Sequence, residues 1–249
     1  MTNDSLGDRM KSYEDSYRIS LPIRMPVIIR VDGKAFHTYT RNLKRPVDEN
    51  LLYVMDQTAT ELCKAIQGAK LAYVQSDEIS VLITNYEDLD TQAWFDNNLQ
   101  KMVSISSSVA AATFTALSGR LFGGITRVAL FDARAFIVPK EDVCNYFLWR
   151  QQDATRNSIQ MLARSMYSHK ECDNMNTSQL QELVFRKGVN WNDCPVSQKR
   201  GRCIVKTQYE HVGVNPKTGE EIPSMRSAWT VDNNIPIFSQ DRSYIEKYV

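Results

Sequence analysis

The sequence predicts an α+β protein on a ferredoxin-like βαββαβ plan, with added C-terminal helices and a hairpin. Three observations carry this. Short apolar runs of β type recur at Pro26–Val31, Leu71–Val74, Ile79–Ile83 and Ile125–Val138. Two longer segments with helical spacing separate the first run from the second and the third from the fourth. The second and third runs are joined by only Gln75-Ser76-Asp77-Glu78, which suits a hairpin. In the split βαβ plan these elements form a four-stranded antiparallel sheet with two helices on one face.

Each element has a local reason. The first strand ends at Asp32-Gly33, a turn signal. Asp48 can cap the first helix, in which Leu51, Met55, Thr58, Leu62 and Ile66 share a face, and Gly68 can end it. The second helical pattern is expected over Asp90 to Ser118, with Gly119 as its stop. Its stretch Ser106–Ala112 consists almost entirely of small residues. A third long helix is expected over Glu141–Tyr167 and a short one over Ser178–Arg186. A hairpin, Cys203–Val212 and Pro223–Val231, turns through Asn215-Pro216-Lys217-Thr218-Gly219. A soft boundary near residue 139 divides the chain into a core of residues 1–139 and an extension of 140–249 packed on it as one structural unit.

Composition narrows the classes. The 249 residues are 43% hydrophobic and 24% charged, as in globular proteins. Lys+Arg 30 against Asp+Glu 29 excludes a uniformly basic coat, but not local basic patches. The sequence shows no apolar run near the ~18–20 residues of a membrane span, so no membrane partner is expected. Five cysteines without a CxxC pair fit reduced thiols in the cytoplasm rather than a disulfide frame or a zinc site. No GxxxxGK[ST] or GxGxxG motif occurs.

The chemistry concentrates at two strand ends. In the expected plan the first and third strands are central neighbours, so Asp32 and the Asp77-Glu78 turn meet at one edge of the sheet. Carboxylates gathered in this way invite a hard cation. Mg²⁺ takes one or two carboxylates and completes its shell with water and substrate phosphate. Two such ions about 3.5–4 Å apart can activate an attacking oxygen and steady a leaving one. Gly33, without a Cβ, allows its backbone close to a metal or phosphate. The following Lys34-Ala35-Phe36-His37 can line a nucleotide through backbone N–H groups. Phe36 can pack on a base or in the core, and His37 also reads as an ordinary loop histidine.

Basic residues cluster at Arg41/Lys44/Arg45, Arg150/Arg156/Arg164 and Lys199/Arg200/Arg202/Lys206. Such clusters are commonly solvated faces. Three on a chain of net charge +1 also suit a surface that follows a phosphate backbone, with Arg150, Arg156, Lys199 and Arg200 as the expected phosphate contacts.

The segments Arg30-Val31-Asp32-Gly33-Lys34-Ala35-Phe36-His37 and Gln75-Ser76-Asp77-Glu78 resemble the paired R-h-D-G-x-x-F-H and Q-S-D-E motifs, h being apolar, of the tRNA-histidine guanylyltransferase family. These enzymes add nucleotides to RNA in the 3′-to-5′ direction. Phe131-Asp132-Ala133-Arg134, Trp149-Arg150-Gln151-Gln152-Asp153 and Lys199-Arg200-Gly201 are similar to later family elements, so the resemblance spans about residues 5–206. It implies a polymerase-like palm in which Asp32 and Asp77, with the Gly33 backbone, hold two Mg²⁺ ions. It implies that Asp32, Gly33, Lys34, Ala35, Phe36, His37, Ser76 and Asp77 bind a nucleoside triphosphate. Arg45 stands where the family has a triphosphate-binding Lys before Pro, and Asn157 matches a family asparagine that approaches triphosphate. A homotetramer is also implied.

One departure bears on substrate. Eukaryotic members carry H-I-N-N-L-Y-N where this chain has Thr155-Arg156-Asn157-Ser158-Ile159-Gln160-Met161. In this the chain resembles the bacterial and archaeal guanylyltransferase-like branch, which implies template-directed addition, as in repair of tRNA 5′ ends. The implied reaction activates a 5′-monophosphate with ATP, after which the 3′-hydroxyl of GTP or another NTP attacks and AMP leaves. A palm-type nucleotide cyclase shares the paired carboxylates. A non-catalytic RNA-binding module shares the fold plan, but the chain has no RNP1-type aromatic strand.

Overall fold

The computed structural model describes residues 5–123, 127–214, 219 and 221–249. In chain order the elements are α1 (Leu6–Asp15), β1 (Val27–Gly33), α2 (Phe36–Tyr39), α3 (Glu49–Ala65), β2 (Ala69–Gln75), β3 (Glu78–Ile83), α4 (Leu99–Leu121) and β4 (Phe131–Ile137). They continue with α5 (Lys140–Met166), α6 (His169–Cys172), α7 (Thr177–Phe185), α8 (Val196–Arg200), β5 (Arg202–Val214), β6 (Glu221–Asp232) and α9 (Ser243–Glu246). The βαββαβ core is present as expected.

The sheet has six strands, in the order β4-β1-β3-β2-β5-β6. The four-stranded expectation is therefore extended. The C-terminal hairpin docks on the free edge of β2, where Leu71 pairs with Val205 and Val74 with Arg202. An edge strand presents unpaired N–H and C=O groups, and hydrophobic periodicity does not reveal which later strand will satisfy them. The expected hairpin turn, Asn215–Gly219, lies outside the described residues apart from Gly219.

Alternation sorts the strand side chains between two cores. Ile29, Val31, Val74 and Val81 face one way, toward Val54, Met55 and Leu62 of α3 and Met102, Ala110 and Phe114 of α4. Ile28, Tyr73 and Leu82 face the other way, toward Val143 and Phe147 of α5 and the C-terminal Phe238 and Ile245. The central strands are thus buried on both faces, which explains their continuous apolar composition. Asp48 caps α3 by accepting the Leu51 N–H at 3.1 Å.

α4 begins at Leu99, later than expected, because Asn98 caps it by accepting the Lys101 N–H at 3.0 Å. It also runs through Gly119. An interior glycine costs only about 1 kcal/mol, and Phe122 just beyond is drawn into the core against Phe114. By length and composition α4 is apolar enough to cross a bilayer, which the sequence reading missed. Here Met102, Ser106, Ala110, Phe114 and Ser118 are buried along one stripe of it. The fourth strand starts at Phe131; Ile125 and Thr126 lie outside the described residues.

Gly201 lets β5 approach β2. Its φ is +84°, and a Cβ there would stand 2.6 Å from the Val74 carbonyl oxygen and 2.7 Å from the Tyr73 hydroxyl. Gly201→Ala is expected to destabilise the fold by about 1–3 kcal/mol through backbone strain and displacement of β2. A urea midpoint equal to that of the parent protein would contradict this.

Candidate active site

Backbone pairing assembles the acidic centre. Asp32 lies opposite Glu78 on β3 and opposite Asp132 on β4. The Gly33 N–H donates to the Asp77 carbonyl at 3.1 Å, latching the β2–β3 turn beside the end of β1. The turn is tight, with Ser76 in the left-handed region at φ 46°. Gly33 is required by its neighbour, since a Cβ would lie 2.4 Å from the Phe36 ring.

The two carboxylates are half-buried and electrostatically stressed. Burial pushes the Asp32 carboxyl above its ordinary range, and Asp132 adds to this against the pull of Arg30 and Arg134. Burial raises Asp77 too, opposed by the Ser76 hydroxyl and reinforced by the charge of Asp32. Among the described residues the ion pairs of this region go to Glu78, Asp132 and Asp153, leaving Asp32 and Asp77 without one. No group of three or more His, Cys, Asp or Glu side chains poised for a metal occurs among the described residues. The donor set is thus two hard oxygen ligands, which fits Mg²⁺ completed by water and phosphate rather than an all-protein cage.

Beside this centre opens a cavity of about 410 Å³. Gly33, Ala35, Phe36 and His37 line it from the loop after β1, Arg45 from the loop before α3, and Ser76 and Asp77 from the turn. Asn157 lines it from α5. The structure thus gathers eight of the ten residues expected at a nucleotide, drawn from four separated segments. Asp32 is set back at the strand end. Lys34 is exposed, with its N–H bonded to the Leu130 carbonyl at 2.8 Å.

The Phe36 ring belongs to the core. It is 4% exposed and packs at 5.0–5.3 Å on Tyr39, Phe114 and Phe131, so only its backbone serves the loop. His37 is exposed, its Nε2 lying 3.0 Å from the Thr38 hydroxyl.

Two of the expected phosphate contacts are corrected. Arg150 is 6% exposed, and its guanidinium grips both oxygens of Glu78, at 2.7 and 2.8 Å, and Asp153 at 2.8 Å. Lys199 is 9% exposed, and its Nζ donates to the Asn192 carbonyl. The Arg150 charge is spent inside the protein and the Lys199 ammonium is held by a backbone carbonyl, because α5 and α8 turn those faces inward. Arg156 is exposed beside Asp153, and Arg200 is half-buried.

The sequence reading assigned Arg202 only to a basic cluster and missed its partner Asp56 and the wall residues Ser197 and Gln198. Arg202 is 1% exposed, lines the cavity and donates to Asp56 at 2.5 Å. Burial raises the Asp56 carboxyl and Arg202 opposes this. A carboxylate on an apolar helix was the available signal. Ser197 and Gln198 from the C-terminal part complete the wall, and no periodicity announces them.

A ferredoxin-like sheet with two carboxylates free of ion pairs among the described residues, Asp77 lining a nucleotide-sized cavity and Asp32 set back beside it, defines an enzyme class, the palm-type nucleotidyltransferases. Residues 7–139 match the family model described as tRNAHis guanylyltransferase. A solved bacterial tRNA(His) guanylyltransferase (Thg1)-like protein in complex with ATP is 48% identical, with 99% of each chain covered and a TM-score of 0.88. A structure of such a bacterial protein in complex with GTP is 47% identical, covering 98% of this chain and 99% of that one, with a TM-score of 0.84. The tRNA(His) guanylyltransferase of Debaryomyces hansenii is 27% identical over 203 residues, 74% of either chain. The chain therefore belongs to the tRNAHis guanylyltransferase family of nucleotidyltransferases, and 3′-to-5′ addition is consistent with that membership. The cyclase and RNA-binding readings are set aside.

The buried Arg150 leads to a contrast. Arg150→Ala leaves the buried Glu78 with only the more distant Arg30, at 4.0 Å, and is expected to cost about 3 kcal/mol of stability. Arg156→Ala removes an exposed pair and should cost no more than about 1 kcal/mol. Denaturant midpoints of the two variants check this, and equal losses would refute the assignment of Arg150 to the interior.

Proposed function

We propose that this protein adds nucleotides, under template direction, to the 5′ end of tRNA. The observation that carries the reading is that the Gly33–Asp77 latch holds Asp77 in the cavity wall beside the strand end that carries Asp32. ATP and GTP are taken as its nucleotides because they occupy the bacterial relatives, and tRNA as its acceptor from the family. Asp32 and Asp77, with the Gly33 backbone, would hold two Mg²⁺ ions, which supply Lewis-acid activation and neutralise charge at the reacting phosphates.

The protein's own groups position the reactants. Backbone N–H groups of Ala35, Phe36 and His37, with Ser76, Arg45 and Asn157, orient the triphosphate, the Gly33 and Lys34 N–H groups being committed to the Asp77 and Leu130 carbonyls. In the first transfer a 5′-phosphate oxygen attacks the α-phosphorus of ATP and pyrophosphate leaves. In the second, the 3′-hydroxyl of the incoming NTP attacks the activated 5′-phosphorus and AMP leaves. Both are in-line displacements, so positioning and electrostatics do most of the work. No side-chain nucleophile is needed. Thr155, in place of the histidine of the eukaryotic element, supports selection of the nucleotide by pairing with the opposite strand. A homotetramer in the cytoplasm is part of the same proposal.

Asp32→Ala or Asp77→Ala should lower nucleotide addition by at least about 10²–10³-fold with the fold retained. Near-normal turnover of either variant in Mg²⁺ would sink the reading. For template direction, a tRNA lacking its first 5′ nucleotide should receive G opposite C and U opposite A. A mismatch moves the 3′-hydroxyl out of line, and small displacements are costly in rate. Persistent G addition opposite A, read by sequencing the product, would count against it.

A further inference from the structure

A second cavity, of about 540 Å³, lies on the other side of α5 from the first. The helix divides the two: Asn157 and Ser158 turn to the nucleotide cavity, whereas Gln152 and Arg156 turn to this one. An α-helix with its side chains is about 10–12 Å across, so the two spaces are close neighbours. The volume falls within the roughly 300–1,000 Å³ of ordinary ligand sites.

Its lining is unusual for a chain of net charge +1. Arg156, Lys199 and Arg200 contribute to the walls and no carboxylate does. Two indoles, Trp149 and Trp191, stand among them. Trp149 is 49% exposed, an uneconomical state for so large an apolar ring, and the Arg150 guanidinium lies 4.3 Å from its centroid. Trp191 is fixed by its Nε1–H to the Ser158 hydroxyl at 3.1 Å. Ile237 is also partly open, at 38%. Gln152 and Asn192 offer amide groups able to bond base edges. Rigid aromatic faces with cations in the wall, Arg156 shared with Asp153 and Arg200 without an ion pair among the described residues, are the chemistry of a single-stranded nucleotide site, where bases stack and phosphates meet positive charge.

We propose that this cavity holds an unpaired nucleotide of the single-stranded 3′ tail of the RNA whose 5′ end is being extended. The inference rests on the proposed function. Arg150, which backs the Trp149 ring, also grips Glu78, the register partner of Asp32, so the cavity rim and the acidic centre share one face of the sheet. In a terminal stem the 3′ strand leaves the duplex directly opposite the 5′ end. An RNA whose 5′ phosphate sits at Asp32 and Asp77 therefore carries its tail toward the neighbouring space. Lodging one base there would fix the end of the stem without reading its sequence.

The test uses the full-length protein and one tRNA lacking its first 5′ nucleotide, either with its single-stranded 3′ tail or trimmed to a blunt stem. Dissociation constants and addition rates are measured for both. The tailed RNA should bind about five- to a hundredfold more tightly, the range of one stacked base. Trp149→Ala should bring the tailed-to-blunt ratio close to one, and Trp149→Phe, which keeps a ring, should restore most of it. Arg200→Gln should lower the salt slope for tailed RNA by about one unit and leave that for blunt RNA unchanged. Equal binding of the two RNAs by the parent protein overturns the proposal, as does a ratio that survives Trp149→Ala. A parent protein that binds the tail but adds no nucleotide to either RNA refutes the function and leaves the site standing.

Discussion

The antiparallel pairing of β1 with β3 is the constraint on which the candidate site depends. Its register sets Asp32 opposite Glu78, so that Asp77 is the last residue of the Ser76-Asp77 turn and its carbonyl meets the Gly33 N–H. A slip of one residue would send Asp32 to the opposite face of the sheet. The register is held because both faces are buried: Val27, Ile28, Ile29 and Val31 are each at most 1% exposed, and no shifted pairing satisfies both cores. The acidic centre is therefore a consequence of apolar packing on two sides.

Charge is distributed around that centre with a clear division. Glu78 is neutralised by the two-pronged contact of Arg150, with Arg30 at 4.0 Å, and Asp132 by Arg134 at 2.9 Å. Asp32 and Asp77 keep their charge uncompensated by any ion pair among the described residues. Bringing two ionised carboxylates together while partly burying them is unfavourable. A divalent cation held there, as proposed, would relieve that cost. The same Glu78–Arg150 contact ties α5, and with it Asn157, to the sheet.

The C-terminal part is not an appendage. β5 extends the sheet from β2, Gly201 permits the close approach, and Arg202 reaches across to Asp56 of α3. Ser197, Gln198 and Arg202 thereby enter the wall of the cavity begun by the loop after β1. Residues more than 150 positions apart share one site because a sheet edge accepted another strand.

Local patterns in the chain carried much of this. Apolar runs ending in Asp32-Gly33 and flanking Gln75–Glu78 encode strands, a hairpin and two acids at neighbouring ends. Helical spacing and Asp48 encode α3, with its start within a residue of that observed. These are short-range properties of periodicity and turn chemistry, and the family motifs fall within them. What only the tertiary structure decided is which groups are spent. Arg150 and Lys199 look like surface cations in a linear sequence, yet both are buried, Arg150 on Glu78 and Lys199 on a backbone carbonyl, while Arg156, in the same run as Arg150, stays exposed. Phe36 had two possible homes, and three neighbouring aromatic rings chose the core. Burial and long-range pairing depend on which distant segments pack together, and a one-dimensional pattern holds no record of that choice.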